Sequence, residues 1–139
     1  MELLSVRAVR GVAAGALALA VAFAVATWVA LEWSDVARIE TRAEDGHLRS
    51  THVWYAVRDG ALWVEAGARD NPWFVDALRE PRVAIVVDGE RREARAVVVD
   101  DDRERARLRA ALRARYGWRD AWVGMLVDAS QSVPVRLDP

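Results

Sequence analysis

Three neighbouring residues in the middle of the chain carry donors of the kind that proteins use to bind phosphate. Arg49 offers a guanidinium fork, and Ser50 and Thr51 offer hydroxyls, at the start of a predicted strand. The group is a candidate anion site. The alternative is an ordinary exposed strand end, where polar side chains simply face water.

Tryptophan is unusually frequent, with seven residues in the chain. Indole rings can stack on a planar ring system, which makes Trp54 and Trp73 candidate ligand contacts. The alternative is that these large side chains fill the core of a small domain. The other indoles of the same region are Trp63, Trp118 and Trp122.

Residue composition excludes several classes of chemistry. All 20 basic residues are Arg, so Schiff-base chemistry and phosphate loops that need a Lys are excluded. The absence of Cys excludes disulfides, thiolate nucleophiles and Cys-ligated metals. His47 and His52, with Asp45, offer nitrogen and oxygen ligands, but their spacing fits neither one helix face nor one strand face. We therefore predict no metal site.

The charges are balanced, with a formal net charge of −1 from 20 basic and 21 acidic residues. A balanced chain has no overall field to attract a polyanion, so no nucleic-acid partner is expected. Signatures of common hydrolases and of nucleotide-binding loops are also absent from the sequence.

The N-terminus contains a long apolar segment. Residues 11–31 carry no charge, and a helix of that length spans roughly the 30 Å hydrocarbon core of a bilayer. We predict a transmembrane helix over 11–31, inside a membrane anchor formed by residues 1–34. The alternative is a cleaved signal peptide, since Ala24-Val25-Ala26 resembles a cleavage site. The segment exceeds the usual apolar length of roughly 7 to 15 residues, which favours retention.

Flanking charges and small residues predict the setting of this helix. Arg7 and Arg10 precede it while Glu32 and Asp35 follow, which places the N-terminus in the cytoplasm and the domain outside, in the periplasm. Beyond the lipid bilayer, the expected partners are other transmembrane helices, because small residues allow close backbone approach. The alternative is chance spacing in an alanine-rich span. The small residues are Gly11, Gly15, Ala18, Ala22 and Ala26.

Residues 35–139 have the size and patterning of one domain that is mainly β with some α. Asp59-Gly60 and Asp88-Gly89 each predict a tight hairpin turn. Asp101 and its acidic neighbours predict a helix cap, and Gly117 a helix end. The expected strands are 37–41, 51–58, 62–65, 83–87, 91–99 and 132–137, and the expected helices are 73–79, 102–115 and 121–128. We predict a small antiparallel barrel with peripheral helices.

Several motifs, in this order, resemble a known family. They are Gly46-His47-Leu48-Arg49-Ser50-Thr51-His52-Val53-Trp54, then Asp59-Gly60-Ala61-Leu62, then Asn71-Pro72-Trp73-Phe74, and finally Tyr116-Gly117-Trp118 with the closing strand. The chain resembles the split β-barrel nitroreductase and quinone reductase proteins, which are related to pyridoxamine-phosphate oxidase-like flavoproteins. The similarity covers nearly all of residues 36–138.

The resemblance implies a split barrel that binds FMN or a deazaflavin, often across a homodimer interface, and passes hydride to quinones or nitroaromatics. It further implies that Arg49, Ser50 and Thr51 hold the cofactor phosphate and that Trp54 and Trp73 flank its ring. In deazaflavin-dependent relatives the phosphate lies near a Gly-Arg-x-Ser-Gly turn followed by Arg. Residues 42–46 keep only Gly46 of that turn, with Arg49 after it, and add Glu44 and Asp45.

Two functions follow. The first is a membrane-anchored flavin- or deazaflavin-type reductase, whose place at the bilayer suits a quinone substrate. The second is an accessory subunit without a cofactor, which packs against a larger membrane complex through its small-residue helix and an aromatic surface. Bound cofactor would distinguish the first from the second.

Overall fold

A computed structural model describes residues 3–32 and 35–139, which form two compact units. The first is helix α1, Leu3–Glu32. The second is a domain of seven strands and three further helices. The strands are β1 Ala37–Arg42, β2 Leu48–Val53, β3 Tyr55–Arg58, β4 Ala61–Ala66, β5 Arg82–Val87, β6 Glu90–Val98 and β7 Val133–Asp138, and the helices are α2 Pro72–Arg79, α3 Asp102–Tyr116 and α4 Trp118–Gly124, followed by a 3₁₀ turn, Ala129–Gln131.

Helix α1 carries the predicted apolar segment. Its stretch Gly11–Val29 has a mean hydropathy of 2.2. By length and composition this helix could cross a membrane, and it is the one such helix among the described residues. A signal sequence meets the same criteria.

All seven strands form one antiparallel sheet in the order β2-β1-β5-β6-β7-β4-β3. The sheet curls into a half-barrel around a core of alternating inward side chains. The predicted fold class, mainly β with peripheral helices, is confirmed. Both predicted hairpin turns also form, with positive φ at Asp59, Gly60, Asp88 and Gly89 as this turn type requires.

The single strand predicted over 51–58 is wrong, because the chain changes edges of the sheet there. Strand β2 pairs with β1 at one edge, whereas β3 pairs with β4 at the opposite edge. Trp54 is the one residue between them and belongs to neither strand. The outermost strands, β2 and β3, therefore do not pair with each other, and Trp54 connects them along the chain.

Helix α2 packs over the core against β1, β2 and β6. Its buried face includes Trp73, Phe74 and Ala77, and the first two rings meet edge to face with centroids 5.9 Å apart. Pro72 at the first helical turn fixes where the helix begins, since proline has no N–H to leave unpaired there.

Helix α3 covers a second, smaller cluster on the outer face of β3 and β4, formed by Ala56, Trp63, Leu108, Leu112 and Tyr116. The predicted Asp101 cap is present, because its carboxylate accepts from the Glu104 N–H at 2.9 Å. The predicted end at Gly117 is also present.

The helix predicted over 121–128 is displaced toward the N-terminus. Gly117 ends α3 and also precedes α4, so the second helix begins at Trp118 and ends at Gly124. Asp128 lies beyond this helix, and its carboxylate caps the separate 3₁₀ turn by accepting from the Ser130 N–H at 2.9 Å.

Candidate functional site

The structure separates the three predicted phosphate donors. Successive side chains of a strand point to opposite faces, so Arg49 and Thr51 share the inner face of β2 while Ser50 faces outward. Ser50 lies opposite Glu40 on β1, and Arg49 lies opposite Thr41. The compact group expected from the sequence is therefore an inner pair with Ser50 on the other side of the sheet.

Arg49 is held by a carboxylate of helix α2. Its Nε donates to Asp76 Oδ2 at 2.8 Å, and the Thr41 hydroxyl donates to the same oxygen at 3.1 Å. Arg79 lies 3.8 Å from the other carboxylate oxygen. Asp76 is only 6% exposed, so it gathers two guanidinium groups and a hydroxyl at the junction of α2 with β1 and β2.

These partners keep Asp76 ionised. Burial raises the pKa of its carboxyl, but the hydrogen bonds from Arg49 and Thr41 and the charges of Arg49 and Arg79 lower it more. The net result is a pKa below the ordinary value of 3.8.

Beside this junction lies an open cleft of about 500 Å³ whose lining includes four arginines. Its arginines are Arg42, Arg79, Arg82 and Arg95, against the acids Glu44 and Glu80. Arg42 Nη1 donates to the Gly46 carbonyl at 3.0 Å, and Arg79 donates to the Arg42 carbonyl. Within the described part of the chain, neither Arg42 nor Arg95 has an acidic partner. The cleft therefore has positive charge available for an anion, and its residues fit a phosphate group.

A second cleft, of about 390 Å³, shares Ala43 and Glu44 with the first and adds Asp45, His47 and Arg49. Asp45 Oδ1 accepts from the His47 N–H at 3.1 Å and also contacts His47 Nδ1. The hydrogen bonds from the His47 main chain and ring lower the pKa of Asp45. Glu44 and Asp45, in the hairpin between β1 and β2, thus lie at the rim of the cleft that contains the arginines. The Asp45 carboxylate contacts the His47 ring.

Trp54 lies at the other end of β2. Its ring stacks on Tyr116 with centroids 4.6 Å apart and planes 15° from parallel. Trp54 follows Arg49 by five positions of extended chain, so the two Cα atoms are about 16 Å apart. Trp54 is partly exposed, so it could also contact a ligand.

Trp73 lies in the core, where only 1% of it is exposed. Its ring faces Phe74 and the inner strands rather than either cleft. A ligand ring could flank it only if the packing around α2 opened.

Asp76, Arg42 and Arg79 were not among the residues predicted from the sequence. A signal for Asp76 exists, because Trp73, Phe74, Asp76 and Ala77 fall on one face at helical spacing. A lone carboxylate on an apolar helix face needs a cationic partner, and that requirement predicts an arginine on a facing strand. Which arginine it is depends on strand register.

The curled seven-stranded sheet has the split β-barrel fold, which solved structures share. A conserved hypothetical protein of Mycobacterium tuberculosis superposes with a TM-score of 0.60 at 25% identity, covering 81% of this chain and 76% of the other. A Listeria innocua protein assigned as a pyridoxamine 5′-phosphate oxidase gives 0.57 at 15% identity, covering 80% and 88%. A protein described as an F420 reductase gives 0.50 at 18% identity, covering 81% and 91%.

Residues 26–136 match the family described as F420H2-dependent quinone reductases. The chain belongs to that family, which confirms the resemblance identified from the sequence. No curated protein sequence matches the chain significantly. Of the two cofactors implied by the resemblance, the family supports a deazaflavin, and nothing in the match supports FMN.

Proposed function

We propose that this protein is a deazaflavin-dependent reductase that reduces quinones at a membrane. The observation that carries the proposal is the family match over residues 26–136, which includes nearly the whole domain. When bound, the reduced deazaflavin would supply a hydride. Transfer of that hydride to a quinone would give a hydroquinone anion, and one proton from water would complete the two-electron reduction.

The arginine-rich region is the part of this chain that would bind the cofactor phosphate. The Nε of Arg49 donates to Asp76, which leaves the two Nη groups of Arg49 as further donors. Arg49 also lines the cleft next to the one that contains Arg42 and Arg95. Thr51 lies on the same face of β2. Trp54 is partly exposed, so its indole could contact the cofactor ring. Ser50 faces the other side of the sheet and could bind the cofactor only of a partner molecule. Trp73 is buried and could contact the ring only if the core rearranged.

A membrane anchor would place the domain where quinones are dissolved. Support comes from the apolar stretch Gly11–Val29 and the basic residues before it. We propose that α1 is retained and spans the bilayer. The flanking charges predict an N-terminus in the cytoplasm, and the labelling experiment below tests that orientation.

The test uses the full chain in lipid nanodiscs, titrated with reduced deazaflavin and then mixed with a soluble quinone. Saturable binding, followed by return of the oxidised cofactor's absorbance only when protein and quinone are both present, is the expected result. FMN titrated in parallel should not bind. If the deazaflavin fails to bind and no quinone-dependent oxidation occurs, the reductase proposal is wrong.

The accessory-subunit function stays as the alternative, favoured by Glu44 and Asp45 at the rim of the cleft. Membrane topology helps to decide between the two, because an extracytoplasmic domain has no ready access to a cytoplasmic reduced cofactor. The chain lacks Cys, so a single cysteine introduced at exposed Asp88 can be labelled from outside intact cells. Labelling from outside, with stable co-purification of other membrane subunits, would favour the accessory role. Protection from the reagent would favour the reductase and contradict the predicted topology.

A further inference from the structure

Helix α4 presents the reverse of the usual arrangement of a surface helix. Its carboxylate Asp120 is buried, at 3% exposed, whereas Trp118 is 59% exposed and Met125, which caps the helix, is 73% exposed. Ala121 lies between these two apolar residues at helical spacing and is also exposed. A helix at a water-facing surface normally buries its apolar stripe and exposes its charges.

Ion pairs with α3 and β4 hold α4 in this orientation. Arg109 donates one Nη to Asp120 and the other to Glu65 at 2.8 Å, and Arg113 lies 3.6 Å from the Asp120 carboxylate. The buried Asp120 thus fixes which face of α4 points inward. The apolar side chains are consequently left on the outside, and Leu126 and Val127 in the following turn extend the exposed surface.

The position of this surface relative to the chain's entry into the domain is also fixed. The Tyr116 hydroxyl donates to the main-chain carbonyl of Asp35 at 2.7 Å. Asp35 is where the described domain begins, and Tyr116 is separated from α4 only by Gly117. The exposed apolar surface therefore lies at the same end of the domain as the connection to α1.

The connection is short. Asp35 follows Val29, the end of the apolar stretch, by six residues, so even a fully extended chain keeps Asp35 within about 20 Å of that point. If α1 spans a bilayer, the α4 end of the domain must stay close to the lipid headgroups. Tryptophan is enriched at that depth, and Arg113 and Arg115 in the last turn of α3 add basic groups that suit anionic headgroups.

We propose that the segment Trp118–Val127 is a second membrane contact, which docks on the lipid surface beside the anchor and fixes the orientation of the domain. The inference rests on the proposed membrane location of α1 but not on reductase activity. Insertion of Trp118, Met125 and Leu126 into the interface would remove their exposed apolar surface from water.

The test places a nitroxide label on single cysteines in the full chain in lipid nanodiscs, made as Met125→Cys, Leu48→Cys and Leu19→Cys. Leu48 is the matched control, since it is exposed and apolar but lies at the opposite end of the β1–β2 hairpin from Asp35. Leu19 reports on the anchor itself. Oxygen, which is concentrated in lipid, and a polar nickel chelate, which stays in water, give the accessibility of each label.

The oxygen-to-nickel accessibility ratio at position 125 is expected to exceed that at position 48 several-fold and to approach that at position 19. A water-like ratio at 125 with a lipid-like ratio at 19 would overturn the docking proposal while keeping the anchor. Water-like ratios at both would overturn the anchor as well. Shielding of 125 from both reagents would overturn lipid docking in favour of a protein on this surface. None of these outcomes depends on cofactor binding, so a failed reductase assay is a separate result.

Discussion

Arg49 on β2 donates to Asp76 on α2 at 2.8 Å, and this ion pair joins the strand proposed to bind phosphate to the helix that covers the core. The pair directs the guanidinium along the inner face of the sheet. It also leaves the remaining donors of Arg49 near the acids and histidine of the neighbouring cleft. If Arg49 binds the cofactor phosphate as proposed, cofactor affinity and domain stability are linked through one side chain.

Replacing Arg49 should weaken deazaflavin binding. Arg49→Gln removes a charged phosphate donor, and we expect the Kd to rise about tenfold, which corresponds to about 1.4 kcal/mol. Arg49→Lys keeps the positive charge but loses the guanidinium fork, so its Kd should lie between those of the unmodified protein and Arg49→Gln. Titration of each protein with the cofactor gives the Kd, and Arg92→Gln, at an exposed site in β6, is the control. Unchanged affinity in Arg49→Gln would place the phosphate elsewhere.

Asp76 should make the fold sensitive to acid. Its pKa is below 3.8 in the folded protein, because its arginine and Thr41 contacts outweigh the opposing effect of burial. A carboxyl with a lowered folded pKa contributes stability above its unfolded pKa, and that contribution is lost as pH falls through the folded pKa. We expect the free energy of unfolding to decrease as pH falls below about 4, and the decrease to be smaller in Asp76→Asn.

Denaturant unfolding at a series of pH values, followed by tryptophan fluorescence, measures this effect. Asp88→Asn removes a carboxyl from an exposed turn and serves as the control. At neutral pH, Asp76→Asn itself should be less stable by about 2 kcal/mol, since it loses a charge-assisted hydrogen bond. An acid response identical to that of the unmodified protein would show that Asp76 does not contribute.

Tyr116→Phe should loosen the start of the domain. The Tyr116 hydroxyl donates to the Asp35 carbonyl and accepts from the Tyr55 N–H at 3.2 Å, so its removal leaves a buried N–H unpaired. We expect a loss of about 1 to 3 kcal/mol in unfolding free energy, with the stacking on Trp54 retained. Tyr55→Phe, which removes a hydroxyl that accepts only from Arg115 among the described contacts, should cost less. Equal losses would show that the link to Asp35 adds nothing.

Gly117→Ala tests the connection between α3 and α4. Gly117 has φ 55° and ψ −120°, a conformation that side chains with a Cβ rarely adopt, although a Cβ there would meet no atom within 4 Å. The cost is therefore conformational, and we expect about 1 to 3 kcal/mol. Gly67→Ala also has open space but no positive φ, so it is the matched control. If both variants unfold at the same denaturant concentration, the backbone argument for Gly117 is wrong.

Local signals in the sequence predict most of the elements because their causes are local. The Asp-Gly turns, the Asp101 cap and the glycine that ends α3 each act within a few residues, and all are present. The break at Trp54 has no local cause. Residues 51–58 alternate as one strand would, and only the pairing of β2 and β3 with distant strands divides them.

The same distinction applies to the site. Arg49 and Trp54 could be singled out by residue type, whereas the separation of Ser50 from Arg49 follows from strand alternation once β2 is placed. The burial of Trp73 depends on which face of α2 meets the sheet. The acceptor at Asp76 lies 27 residues from Arg49, so its role depends on tertiary structure.

The place of β7 in the sheet bears on how the chain folds. Residues 133–138 follow every other strand of the sheet along the chain, yet they fill the position between β6 and β4. Until they arrive, the β3–β4 hairpin has no strand through which to join the others, and two edges remain unpaired. Such non-local pairing slows folding and leaves edges that can recruit other chains. A nascent or C-terminally truncated chain should therefore be the most aggregation-prone form of this protein.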